Sequence, residues 1–188
     1  TLLLVLTLAL GTAAAASVGT PALAAHQVVR ETWFLTAMLT DGLAIAAQAL
    51  VAEHLGRGDE ASIAAINRRL LWWGLLIGAV IAVGWLAGAP LLAAAFAPTV
   101  EVGGLIEAAA RIAGLLAPAA AIVWVLDGII MGRMAFKGLI ASTGAGLVAG
   151  ATVFYLSVTY GWGLPGVWWG MSAMIVARLV VLIALIRR

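Results

Sequence analysis

From Gly138 to Ala177 the chain carries no acidic or basic side chain, and the same holds from Leu70 to Val100. A helix crosses a hydrocarbon core about 30 Å thick with about 20 apolar residues. The longer stretch therefore holds two spans and the shorter one holds one. Tyr160-Gly161-Trp162-Gly163-Leu164-Pro165-Gly166 supplies the turn that divides the longer stretch. Soluble domains are about one quarter charged, whereas here 10% of the 188 residues are charged and 65% are hydrophobic. The mean hydropathy is +1.17. These values exclude a soluble globular domain, a disordered tail and a nucleic-acid-binding module. The net charge of +2 comes from ten cations against eight acids, which leaves no basic stripe to follow a phosphate backbone.

The same reasoning places six spans in all, roughly 1–18, 22–54, 60–88, 104–132, 136–159 and 165–188. The fold class expected is all-α, a polytopic membrane protein. The apolar run before Ala22-Leu23-Ala24 has the look of a secretory signal, but no basic region precedes it. It is read instead as a span in a piece of a longer protein. Cations gather at one end of the spans: Arg57, Arg68 and Arg69, then Arg133 and Lys137, then Arg187 and Arg188. By the positive-inside rule this end is cytoplasmic, and so are both termini. Trp72 and Trp73 are expected as interface anchors on that side, and Trp85, Tyr160, Trp162, Trp168 and Trp169 on the other.

Small residues recur at every fourth position in Gly138, Ser142, Gly146 and Gly150, and in the pairs Gly74/Gly78 and Gly84/Gly88. In lipid such spacing lets helix backbones approach closely. Pro118 should kink the fourth span.

Ionisable groups deep in a span are expensive and normally face a cavity or a partner. Asp41 lies about 28 Å along the second span at 1.5 Å per residue. Gln27, Arg30, Asp41 and Gln48 fall within an arc of about 60° at 100° per residue, with Phe34, Met38 and Ile45 on the same stripe. This file is expected to face the bundle interior as a candidate binding surface; the alternative is that Asp41 pairs with Arg178. Asp127 shares a helical face with Trp124, Met131 and Met134, a surface suited to a hydrophobic cation. Its alternative is neutralisation of Arg133. Arg178 is a possible charge partner for either acid. Glu107 and Arg111 form an i, i+4 pair, and Asp59 is a helix N-cap. His26 and His54 stand near opposite ends of one span and cannot share a metal. With no cysteine in the chain there is no thiolate nucleophile or Cys-based zinc site. Gly170-Met171-Ser172 has a Gly-x-Ser pattern but no histidine follows it, and no metal site, no cofactor and no enzyme activity are expected.

Several segments resemble those of multidrug and toxic compound extrusion transporters. Gly19-Thr20-Pro21-Ala22-Leu23-Ala24-Ala25-His26-Gln27 looks like the entry to the eighth span of that family. Asp41-Gly42-Leu43-Ala44, Gln48-Ala49-Leu50-Val51, Leu55-Gly56-Arg57-Gly58-Asp59, Phe96 to Val100 and Leu126-Asp127-Gly128-Ile129-Ile130-Met131-Gly132 continue the likeness. The branch most similar is the bacterial DNA-damage-inducible F-type. The resemblance implies that this is the C-terminal six-helix lobe of a twelve-helix antiporter, partnered by an N-terminal lobe of the same parent chain. It further implies export of organic cations or amphipathic compounds across the cell membrane, driven by protons or sodium. The family's sodium-binding acid in span seven has no counterpart in the first span here. Ala97-Pro98 also departs from the usual outer stretch. Two alternatives are a self-contained six-span vitamin-binding membrane subunit and a lipid flippase of the same superfamily.

Overall fold

The computed structural model describes residues 2–186, which form six helices and, among those residues, no strand. They are α1 (Leu2–Val18), α2 (Thr20–Gly56), α3 (Glu60–Phe96), α4 (Val100–Gly132), α5 (Phe136–Thr159) and α6 (Gly163–Ile186). Five are long and apolar enough to cross a membrane, while α1 is apolar but has 17 residues. Arg187 and Arg188 lie outside the described residues. The all-α expectation holds, and the helix bounds follow the charge-free gaps. The largest departure is α3, which runs eight residues past the expected Gly88 to Phe96, through Pro90. Pro118 likewise sits inside a continuous α4.

The breaks between helices have local causes. Gly19 alone separates α1 from α2, at φ 142°, where L side chains are strained. Thr12 and His26 then meet across this break, so the two helices fold back on each other. Gly161, at φ 67°, turns the chain between α5 and α6. Asp59 caps α3 by accepting a hydrogen bond from the Ser62 amide at 3.2 Å, as expected. Thr99 caps α4 through the Val102 amide in the same way.

The fourth helix, α4, is the hub and the most buried helix, packing on α3, α2, α6 and α5. Small residues set its approach to its neighbours. A Cβ on Gly78 would stand 2.7 Å from the Pro118 Cα, and one on Gly74 would stand 3.0 Å from Val125. Gly128 and Gly132 receive α2 so closely that a Cβ on Gly128 would run into the Ala44 carbonyl. The α5 stripe packs as its spacing predicts: Gly146 receives Arg178 and Met174, Gly150 receives Thr7 and Met174, and Gly138 receives Leu185. Gly84 and Gly88 do not follow the pattern. Nothing lies within 4 Å of their Cβ positions, and they border an open groove of about 470 Å³ between α2 and α3.

Two aromatic placements are corrected. Trp85 and Trp168 are buried inside the bundle rather than exposed at an interface. They join Trp33 and Trp124 in a cluster with ring centroids 5.8–6.3 Å from Trp33. The Trp85 indole N–H donates to Thr36 Oγ1 at 3.0 Å, which satisfies its polar edge and makes burial tolerable. Trp72, Trp73, Tyr160, Trp162 and Trp169 are exposed, as interface anchors must be.

Candidate functional site

Two polar assemblies stand apart from the general packing, one on the surface of α2 and one between α4 and α6. On α2 the buried residues Ala22, His26, Val29, Trp33, Thr36, Thr40, Ala47 and Val51 form one stripe. At 100° per residue the file Gln27, Arg30, Phe34, Met38, Asp41, Ile45 and Gln48 lies about 120° around the helix from that stripe. Met38, Asp41, Ile45 and Gln48 are exposed, and Gln27 and Arg30 are half-buried. The expectation that this file faces the interior of the six-helix bundle is therefore corrected. Small and β-branched residues fit the close contact with α4, and they turn the polar file outward. Asp41 forms no ion pair with any described residue.

Near the Gln27 end of the file Arg30 is held from three sides. Its guanidinium donates to Glu31 at 2.6 Å and to Thr12 Oγ1 at 3.2 Å, and lies 5.9 Å from the Phe34 ring centroid. Thr12 also contacts His26 Nε2 at 3.4 Å. The His26 ring packs 5.9 Å from Trp168. Sequence reasoning did not find this network. The signal available was that His26 shares a helical face with Trp33 and Thr36.

The second assembly is the ion pair between Arg178 on α6 and Asp127 on α4, with Nη2 and Oδ2 2.6 Å apart. Their side chains are 5% and 18% exposed. Gly146 on α5 makes room for the arginine stem, since a Cβ there would stand 2.7 Å from Arg178 Cγ. Arg178 thus pairs with Asp127 and not with Asp41, and Asp127 neutralises Arg178 and not Arg133. Asp127 Oδ1 and Arg178 Nε remain buried without partners.

Trp124 and Met131 are half-buried on the same side of α4, and Trp124 packs on Trp33 at 5.8 Å. Met134 lies beyond the helix in the α4–α5 turn, at φ 56°, and is exposed. Asp127, Trp124 and Met131 therefore share a face, as expected, while Met134 leaves it. A groove of about 730 Å³ runs along α3 from Ala65 to Ala79 and is lined by no acid. Among the described residues no group of His, Asp or Glu side chains is arranged to hold a metal.

A family model described as MatE matches residues 1–156. The chain belongs to the MatE family. It is 29% identical over 181 residues to Protein DETOXIFICATION 45, chloroplastic, of Arabidopsis thaliana, covering 96% of this chain and 32% of the relative. Protein DETOXIFICATION 42 of the same plant is 32% identical over 168 residues, covering 89% of this chain and 32% of the relative. The chain spans about a third of the length of these curated relatives. A MOP superfamily transporter from Pyrococcus furiosus superposes with a TM-score of 0.87 at 19% identity, covering 95% of this chain and 40% of that one. An outward-facing multidrug resistance MATE family transporter superposes at 0.80 with 20% identity and the same coverages. This MatE chain is thus multi-pass, and its family is one of membrane transporters and not of enzymes.

Proposed function

We propose that this MatE chain is the C-terminal six-helix lobe of a twelve-helix antiporter of the DNA-damage-inducible F-type branch. In this reading the outward file on α2 faces the N-terminal lobe across a central cavity. The observation that carries it is Asp41: a carboxylate about 22 Å from the inner end of a spanning helix, exposed, with exposed Gln48 on the same face. Against lipid such a group costs about 2.5–3.5 kcal/mol. A water-filled space between lobes removes that cost. Organic cations or amphipathic compounds would enter this space, with Met38, Phe34 and Ile45 contacting the apolar body and Asp41 the charge. Gln27 and Gln48 supply hydrogen bonds along the path. The half-buried Trp124 and Met131 extend the apolar wall of the same site on α4.

Export follows from alternating access of the two lobes, driven by an inward proton or sodium gradient. Coupling to protons fits better, because α1 carries no acid to share a sodium ion. In this reading the cation-rich end of the bundle faces the cytoplasm with both termini, by the positive-inside rule, and the protein resides in the cell membrane. In the full-length parent, Asp41→Asn removes a charged contact of about 1.5–3 kcal/mol. Efflux of a cationic dye should fall about ten-fold or more at equal membrane expression, with Asp41→Glu retaining most of it. Wild-type efflux from Asp41→Asn would defeat this assignment.

A further inference from the structure

We infer that the cleft where α3, α4 and α6 meet at the cation-rich end is a seat for one anionic phospholipid. The fold leaves α3 and α6 out of contact with each other while both pack on α4. The result is a cleft of about 570 Å³ whose floor includes Ile122 and Leu126 of α4, with Leu71 and Leu75 on the α3 side and Ile183 on the α6 side. Its apolar depth fits an acyl chain.

Its rim is cationic. Arg68 of α3 and Arg133 at the end of α4 both line it, are exposed, and form no ion pair with any described residue. Trp72, also on the rim, is 67% exposed, at the level where aromatic side chains sit among headgroups. Asn67 lines the same cleft, and its side-chain oxygen is buried with no hydrogen-bond partner. Basic pockets between spanning helices are the usual seats of acidic headgroups, and two unpaired guanidiniums above an apolar slot match a phosphodiester with its tail.

The cleft is separate from the proposed transport surface. At 100° per residue, Ile122 and Arg133 point about 160–200° away from Trp124 and Met131 around α4. The proposal rests on the membrane placement of the chain and not on the role of Asp41.

The test uses the full-length parent in nanodiscs. This chain has no cysteine, so Ile183→Cys labelled with bimane reports on the cleft once any cysteine beyond the chain is replaced. Dibrominated phosphatidylglycerol should quench the bimane at an up to about 25-fold lower mole fraction than dibrominated phosphatidylcholine. Each arginine near an anionic headgroup contributes about five-fold. Arg68→Gln with Arg133→Gln should therefore erase the preference, while the paired lysine variant and Lys137→Gln should keep it. Equal quenching by the two lipids would show a cleft filled by bulk lipid, and no quenching by either would show a cleft covered by protein. Each of these two results would overturn the proposal, whatever the efflux of Asp41→Asn turns out to be.

Discussion

The ion pair between Asp127 and Arg178 makes a quantitative prediction, because its two members are buried to similar degrees and serve no other described partner. Arg178→Met keeps the unbranched stem that packs against Gly146, but removes the guanidinium and leaves Asp127 as a lone carboxylate within the bundle. An uncompensated charge at such depth costs about 2.5–3.5 kcal/mol. Asp127→Asn leaves the guanidinium alone and carries a penalty of the same order, reduced where the long arginine stem can reach toward the interface. The double variant Asp127→Asn with Arg178→Met removes both charges. It should cost less than about 1 kcal/mol, because a buried pair replaced by neutral groups of similar volume is often near neutral. The coupling energy of the cycle is then about 3 kcal/mol or more, well above the pairwise values of typical hydrogen bonds between membrane helices. Reversible unfolding of the parent protein in mixed micelles measures it. Additive single and double variants would refute the reasoning, and would mean that water or a bound ion reaches one member of the pair. The cycle also separates two roles for Asp127. A carboxylate whose first task is to neutralise Arg178 loses stability and transport together in Arg178→Met. A carboxylate whose first task is to grip a cationic substrate gains affinity when the arginine is removed.

Further expectations follow from other local features. Gly128→Ala drives a methyl group into the Ala44 carbonyl and should separate α2 from α4 at a cost of about 1–3 kcal/mol, whereas Gly84→Ala meets open space and should be neutral or slightly stabilising; the same unfolding assay ranks them. The Ser62 hydrogen bonds hold the Asp59 carboxyl below its ordinary 3.8. Its contribution is therefore complete above the unfolded-state value and is lost as the pH falls through the lowered folded one. Asp59→Ala should accordingly weaken amide protection in the first turn of α3 at pH 7, and the difference from the parent should shrink as the carboxyl protonates in acid, as hydrogen exchange would report. Trp85→Phe removes the bond to Thr36 and should cost about 0.5–1.5 kcal/mol, with Thr36→Val adding little to it.

Helix bounds were legible because charge is costly in hydrocarbon, and the charge-free stretches 70–100 and 138–177 show where it is excluded. The end of α3 was not, since Pro90 and Gly88 read as terminators in water, whereas a spanning helix tolerates them where neighbouring groups take up the freed carbonyls. Glycine spacing was legible only in part. Gly74/Gly78 and Gly84/Gly88 have the same pattern, and only the first pair meets α4. What separates them is the partner surface: Pro118 and Ala121 lie opposite the first pair, and a groove lies opposite the second. Gly128 and Gly132 make a closer contact than either pair, yet one glycine pair on α4 does not reveal which helix it receives.

The polar file on α2 shows why direction is harder to read than existence. In a soluble helix a polar stripe marks the side facing water, and in a spanning helix it marks the side facing away from lipid. Both rules assume that the whole molecule is in view. In this six-helix bundle the buried stripe of α2, from Ala22 to Val51, packs on α4, while its polar file, from Gln27 to Gln48, points out of the bundle. The periodicity of the sequence identified the polar file but assigned it the inward direction, which belongs to the stripe that packs on α4. Among the acids, burial and pairing make the distinction that periodicity could not. Asp127 is neutralised within the lobe by Arg178, whereas Asp41 has no described partner. In the proposed antiporter, water, a cation or the second lobe would reach Asp41, and that expectation makes Asp41 rather than Asp127 the first residue to substitute.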